Sequence, residues 1–225
     1  MKSFHMKSGL IMSLLVCAVG LGGCDQSAQP PEDLPWQINI SAEGNPQVFH
    51  MEVGKSTLKD MIEYFRNFPE VAVFAHESRK RTLEAYFGKQ RIGLFEAKLI
   101  AELQADDAMF DKFQNEASKR EGMASGQWKH TLSEANQTIA NGLVVSKLVY
   151  LPSINYEPEV VAARFGEPAE RLPATKTGVE FWFYPQQGLA IMLDVNGGEI
   201  LYYTTPALYP ALKQELLEAK PKNAD

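Results

Sequence analysis

Cysteine is almost absent from this chain of 225 residues: Cys17 and Cys24 are the only two, and both stand near the N-terminus. A disulfide framework is therefore excluded, and the position of the pair says more than its number. Basic residues are also short, with 22 Lys and Arg against 28 Asp and Glu for a net charge of −6. No cationic excess is available to neutralise phosphates, so nucleic acid is not an expected partner. No apolar run reaches the roughly 20 residues that a spanning helix needs, which excludes a multi-pass membrane protein. What is present, 45% hydrophobic and 22% charged residues, is an ordinary globular balance that excludes collagen or disorder as the main state.

The first residues carry the strongest signal. Met1 to Ser8 contain Lys2 and Lys7 and no acid, and Gly9 to Leu21 form an apolar run. That is the layout of a secretory signal peptide, too short to be a stable anchor itself. It ends in Leu21-Gly22-Gly23-Cys24, which resembles the bacterial lipobox: small residues fit the narrow peptidase cleft, and the thiol becomes a thioether. The resemblance implies cleavage after residue 23 and acylation of Cys24 by palmitate-type chains. Several chains on one residue make a stable anchor where one holds only marginally, at about 0.8 kcal/mol per buried CH₂.

Removal of residues 1–23 takes away two lysines and no acid, so the net charge falls from −6 to −8, and the mature chain keeps no free thiol. At roughly 200 residues, burying about 70% of the unfolded surface is attainable without disulfides. Asp25 follows the lipid cysteine; in the enterobacterial sorting scheme that this arrangement resembles, Asp there retains a lipoprotein in the inner membrane. The other reading of Asp25 is the first residue of a solvated tether.

The chain reads as four segments: a signal peptide (1–23), a Pro-containing polar tether (24–35), a first α+β half with a helical insertion (36–141), and a second α+β half with a C-terminal helix (142–225). Trp36, Ile38 and Ile40 alternate with polar residues, and a second run spans Val48 to Val53, which together predict a hairpin. Leu58, Met61, Ile62 and Phe65 share a helical face behind the capping-box pair Thr57 and Asp60, with Pro69 as a stop. Leu83 to Phe87 predicts a strand. Ile92 to Leu103 fits both strand and helix spacing and is read as a strand. Helices are expected over 107–120 and 131–141, the first with Asp106 and Asp107 at its start and Lys119 and Arg120 near its end. The second half predicts a strand over 143–151, a helix over 158–165, and strands over 179–184, 189–194 and 199–203, with Asn196-Gly197-Gly198 as a turn.

Met61-Ile62 before Pro69 corresponds to Val160-Val161 before Pro168, and Glu84, Tyr86-Phe87 and Gly93-Leu94 correspond to Glu180, Trp182-Phe183 and Gly188-Leu189. This repeat predicts two similar halves. The run Glu159 to Pro168, then Glu180 to Tyr184, then Gly188 to Asp194, resembles the SmpA/BamE-like small envelope lipoproteins over residues 155–205. The resemblance implies helices packed on one face of a small antiparallel sheet, a fold shared with β-lactamase inhibitor proteins; with the repeat and the helices over 107–120 and 131–141, the expected fold class is α+β, two similar helix-plus-antiparallel-sheet halves with an inserted helical pair. The resemblance also implies binding of other envelope proteins, no catalysis and no cofactor.

A catalytic pattern exists as a competitor. Ser56-Thr57-Leu58-Lys59 fits S-x-x-K, Ser153-Ile154-Asn155 a loose S-x-N, and Lys176-Thr177-Gly178 K-T-G, as in penicillin-recognising enzymes. Asn155 and Lys176 stand too close for that fold, and Ser56 and Thr57 have sufficient work as helix caps. His50, His76 and His130 are dispersed, His76-Glu77 lacks the second His of a zinc-protease helix, and no thiolate ligand is left for a metal. Gly122 to Gly126 is out of register with a nucleophile elbow, and Arg79-Lys80-Arg81 reads as a solvated basic loop. A small-ligand carrier would need an apolar pocket between the halves.

Aromatics at consecutive positions of Phe181 to Tyr184 and of Leu201 to Tyr203 point to both faces of their strands. Either both faces are covered, or one presents Trp182, Tyr184, Tyr202 and Tyr203 to a partner. The expectation is a lipid-anchored, periplasm-facing envelope protein, in the inner rather than the outer membrane, with that ring face as its partner surface. Mass spectrometry of the mature N-terminus should find acyl mass on Cys24, and Cys24→Ser protein should leave the membrane fraction; a wild-type N-terminus without acyl mass overturns the lipobox reading.

Overall fold

Thr57 and Asp60 close the first helix, α1 (Leu58–Phe65), as their spacing predicts: the Asp60 amide donates to Thr57 Oγ1 at 3.3 Å while the Thr57 amide donates to Asp60 Oδ2 at 2.7 Å. Arg66 ends it at a left-handed φ of 50°. The computed structural model describes Met1 and residues 33–76, 79–173, 178–194 and 198–218. Cys24, Asp25, Lys176, Thr177, Asn196 and Gly197 lie outside the described residues. The chain divides into units Met1–Pro30 and Pro31–Asp225, and every described helix and strand belongs to the second.

Ahead of α1, the predicted hairpin is a small three-stranded sheet, β1 (Asn39–Ile40), β2 (Pro46–Val48) and β3 (Met51–Glu52). Trp36 precedes it, and the run from Val48 to Val53 is broken by a two-residue turn at Phe49 and His50, with φ of 51° and 59°. Such turns usually carry Asn-Gly, and each left-handed non-glycine residue costs on the order of 1 kcal/mol. The offset is packing: the Phe49 ring stacks on Tyr150 at 5.3 Å and meets Tyr203 edge-on at 5.9 Å.

The main body is one antiparallel sheet of ten strands. Its first strands are β4 (Glu70–His76), β5 (Arg79–Ile92) and β6 (Phe95–Leu103), so the ambiguous segment is a strand. The helix expected over 107–120 is shorter, α2 (Asp107–Asn115), and its basic end instead begins a hairpin, β7 (Lys119–Gly122) and β8 (Trp128–Thr131). The reason is pairing: β8 adds to the free side of β4, with Val73 opposite His130 and Ala75 opposite Trp128. The next helix, α3 (Glu134–Ala140), accordingly starts at Ser133 rather than Thr131, which ends β8. Then come β9 (Val145–Pro152), α4 (Pro158–Phe165), β10 (Glu170–Pro173), β11 (Val179–Tyr184), β12 (Leu189–Asp194), β13 (Glu199–Thr204) and α5 (Tyr209–Glu218). The strand order is β10-β11-β12-β13-β9-β6-β5-β4-β8-β7. The fold is thus mixed α+β with five helices among the described residues, and the strands of both chain segments share one sheet rather than forming two sheets with helices between them.

One face of the sheet carries the principal core, in which Leu83, Leu99, Leu148, Tyr150, Trp182, Ile191, Leu201 and Tyr203 are buried against Val48, Phe49, Leu58, Met61, Val161 and Phe165. The other face is covered by α5 alone among the described residues, whose Tyr209, Leu212 and Leu216 pack on Phe183 and Ala190. Tyr203 donates from the core to the carbonyl of Pro35 at 2.8 Å, fastening the incoming chain. Phe49→Ala should cost about 3–5 kcal/mol in urea unfolding, and Tyr203→Phe about 1 kcal/mol for the lost bond. A Phe49→Ala cost under about 1 kcal/mol would contradict the offset assigned to that ring.

Candidate functional site

The ring face expected around Trp182, Tyr184, Tyr202 and Tyr203 is corrected by their placement. Trp182, Tyr184 and Tyr203 are 1%, 4% and 0% exposed, and Tyr202 is half-buried. Trp182, Tyr184 and Tyr203 turn into the principal core, where the Arg171 guanidinium lies over Trp182 at 3.9 Å and the Tyr184 hydroxyl donates to the Gly166 carbonyl at 3.0 Å. Tyr202 turns to the opposite face, with Phe183 under α5. Burial pushes the Tyr184 and Tyr202 phenols up to about 12. Both faces of these strands are covered, the alternative that the alternation leaves open, and these rings are core.

Around β9 the α5 face turns polar. Lys147 Nζ reaches Glu102 Oε2 at 2.6 Å and Glu215 Oε2 of α5 at 3.2 Å, clamping the helix to the sheet. Glu84 stands opposite Glu102 on the neighbouring strand, and burial, then repulsion from Glu102, hold its carboxyl above the ordinary value, against a hydrogen bond from Thr82. At the sheet's end Glu199 is buried, and its carboxyl is likewise raised by burial.

The competing chemistries find no joint geometry among the described residues. Ser56 Oγ accepts from the Glu52 amide at 3.0 Å, while Lys59 Nζ pairs with Glu63 at 3.7 Å on the exposed side of α1. His50 meets Asp33 at 2.9 Å, and His130 is buried, with its pKa lowered by desolvation and by Arg120. No group of three or more His, Cys, Asp or Glu able to hold a metal occurs among the described residues. A groove of about 450 Å³ runs between Lys80, Arg81 and Asp106, Asp107 and Phe110. Its guanidinium is engaged: Arg81 reaches Asp111 at 2.5 Å, Asp107 at 2.8 Å and Gln114 at 2.9 Å, and covers the Phe110 ring at 5.0 Å. Arg81 thus joins α2 to β5, in place of the expected solvated loop.

A different feature lies at the far end of the β5–β6 hairpin. β5 pairs with β4 only through Tyr86; beyond it β5 continues with β6 alone and turns at Gly93 and Leu94, Gly93 taking a φ of 57°, while β6 stays paired with β9 through Ala97 and Pro152. Leu94 is 67% exposed, and Phe68 is 79% exposed in the loop that Asn67 fastens to the hairpin by donating to the Phe87 carbonyl at 2.9 Å. Apart from Met1 these are the most exposed large apolar side chains among the described residues. The Ser153 amide donates to the Glu96 carbonyl at 2.8 Å, which brings exposed Ile154 to the same end. Arg91 and Lys98 are exposed on the hairpin, and Arg66 is exposed on the loop beside Phe87. The incoming chain joins the body on this side: Trp36 meets Phe95 edge-on at 5.7 Å, and Tyr64 donates to Asp33 while packing on Phe65, itself against Phe87. The sequence signal for this end is a leucine at a two-residue turn, where a polar residue is the rule.

No protein-family model matches the chain, and a search of curated proteins finds no match. Among the described residues no helix is long and apolar enough to cross a membrane.

Because the folded protein holds the Glu84 proton more tightly than the unfolded chain, its stability contribution is present below the ordinary value of 4.5 and is lost as pH rises through the raised value. Glu84→Gln should therefore match wild type in acid and exceed it in unfolding free energy at neutral pH. A wild type that gains on Glu84→Gln as pH rises would contradict the assignment.

Proposed function

We propose that the chain is a lipoprotein of the bacterial cell envelope, anchored through acylated Cys24, facing the periplasm, whose folded part binds another envelope protein and carries out no reaction. The observation that carries the reading is Leu21-Gly22-Gly23-Cys24 behind a charged start and an apolar run, before a polar, Pro-containing stretch. Asp25 supports retention in the inner membrane. The likeness to SmpA/BamE-like lipoproteins supports a binding role, and element order supports the repeat behind it. α1 precedes the meander β4-β5-β6, and α4 precedes the meander β10-β11-β12, each a helix with three consecutive antiparallel strands after it. On this reading the two are copies of one unit, and α2, β7, β8 and α3 are an insertion between them.

The penicillin-recognising alternative would need the Ser56 hydroxyl beside an amine, and Lys59 is turned to Glu63. Affinity capture from solubilised membranes should recover a discrete envelope protein with the wild type, and a labelled β-lactam should leave the chain unlabelled. Labelling that Ser56→Ala abolishes would replace the binding reading with the enzyme.

A further inference from the structure

We propose that the outer edge of β5 beyond Tyr86 receives the partner, as an added strand of alternating acidic and apolar residues from another envelope protein. The inference rests on the proposed binding role and adds where the partner lies and what its binding segment is made of. β4 leaves β5 at the pair of Glu70 and Tyr86, and no other described strand takes its place along Phe87 to Ile92. That stretch, between the Phe68 loop and the Leu94 turn, is roughly 17 Å long and leaves room for a short strand in line with β4. Ile92 and Phe95 flank a two-residue turn, so they exchange both backbone bonds, and by alternation Gln90 and Ala97 do the same. Lys89 and Arg91 therefore turn their N–H and C=O groups away from β6. Side-chain amides stand where a neighbour's backbone would: Asn67 donates to the Phe87 carbonyl at 2.9 Å, and Gln90 donates to the carbonyls of Phe87 and Lys89 at 2.5 and 3.1 Å. These acceptors are set for donors from outside the hairpin.

The side chains along the edge select the strand that fits. Between Phe87 and Lys98 the hairpin carries Lys89, Arg91 and Lys98 against Glu96 alone. Lys89 lies opposite Lys98 and Arg91 opposite Glu96 on one face, and the bridge from Lys89 to Glu96 at 2.5 Å leaves a positive surplus there. Acidic side chains on that face of an added strand would meet it. On the core face Phe87 and Ile92 are buried, with Phe65 packed against Phe87, so the alternate residues of the strand would be apolar. A second copy of this chain does not suit the edge, because aligning it antiparallel with itself sets Lys89 and Arg91 against like charges. The terminal strands β7 and β10 offer four residues each and pair their own charges, Lys119 with Glu121 and Arg171 with Glu167.

Full-length lipidated protein in a non-ionic detergent would be mixed with a short synthetic peptide of alternating Glu and Val, or with one of alternating Lys and Val, while amide exchange is followed residue by residue. The Glu peptide should slow exchange at the Lys89 and Arg91 amides by about tenfold, and the Lys peptide should leave them unchanged. In protein carrying Lys89→Glu with Arg91→Glu the preference should exchange, which also shows that the variant is folded. Protection by neither peptide, or equal protection by both, overturns the proposal. Protection that grows with protein concentration alone assigns the edge to a second copy and also overturns it. Capture from solubilised membranes separates this claim from the one beneath it. An envelope protein recovered by the wild type and lost on charge reversal supports the edge. The same protein recovered equally by both overturns the edge and leaves the binding role standing. A wild type that recovers nothing removes the binding role and this inference with it.

Discussion

The register of β9 is the constraint on which the rest of the structure depends. Its eight residues pair with β6 on one side and β13 on the other, so the strands of the two chain segments meet only through it. On the core face Leu148 lies between Ala101 and Tyr203, and Tyr150 between Leu99 and Leu201. On the other face Lys147 lies between Glu102 and Thr204 and holds α5 through Glu215. A slip of one residue would carry the lysine into the core and bring Tyr150 out, exchanging both faces at once. The Phe49 turn depends on the same register, since its left-handed backbone is maintained only while Tyr150 offers a ring to stack on.

Elements whose signals are local were legible. Thr57 with Asp60, and Pro158 with Gly166, bracket α1 and α4 because caps satisfy a helix end by itself, whatever it packs against. Elements defined by neighbours were not. β4 is a central strand with Val71, Ala72 and Val73 all buried, so it shows no alternation. Lys119 and Arg120 satisfy the dipole rule for a helix end and belong to an edge hairpin instead, because the free side of β4 offers backbone partners that a longer helix would forgo. β10, four residues at the opposite edge, is too short to carry a pattern.

The candidate surface was misplaced for a related reason. Trp and Tyr suit an interface and a core equally, through a large apolar body with one polar tip, and composition does not separate the two uses. The hydroxyls of Tyr184, Tyr203 and Tyr209 donate to the carbonyls of Gly166, Pro35 and Leu189, and each bond ties the sheet to a separate piece of chain. Rings fastened in this way are joints of the fold. Apart from Met1, the two most exposed large apolar side chains among the described residues, Phe68 and Leu94, have no polar tip and stand on loops rather than in the aromatic strands.

The two faces of the sheet also solve their covering problem differently. The principal face is closed by α1, α2, α3, α4 and the small sheet, while α5 closes only the β11–β13 side of the other. Over β4, β5 and β6 that second face carries Glu84, Glu102 and, from β9, Lys147, together with the Lys129–Glu70 pair. A charged row keeps a sheet face wet without a covering helix and discourages another sheet from stacking on it. Its cost is visible in Glu84, whose carboxyl is raised by partial burial beside Glu102. On the hairpin beyond β4, past Tyr86 and Ile100, the same face carries Lys89, Lys98, Arg91 and Glu96, with Lys89 bridged to Glu96. The charged row therefore continues along β5 after it leaves the main sheet, in mixed-sign pairs that keep the uncovered hairpin face wet up to the turn at Gly93 and Leu94.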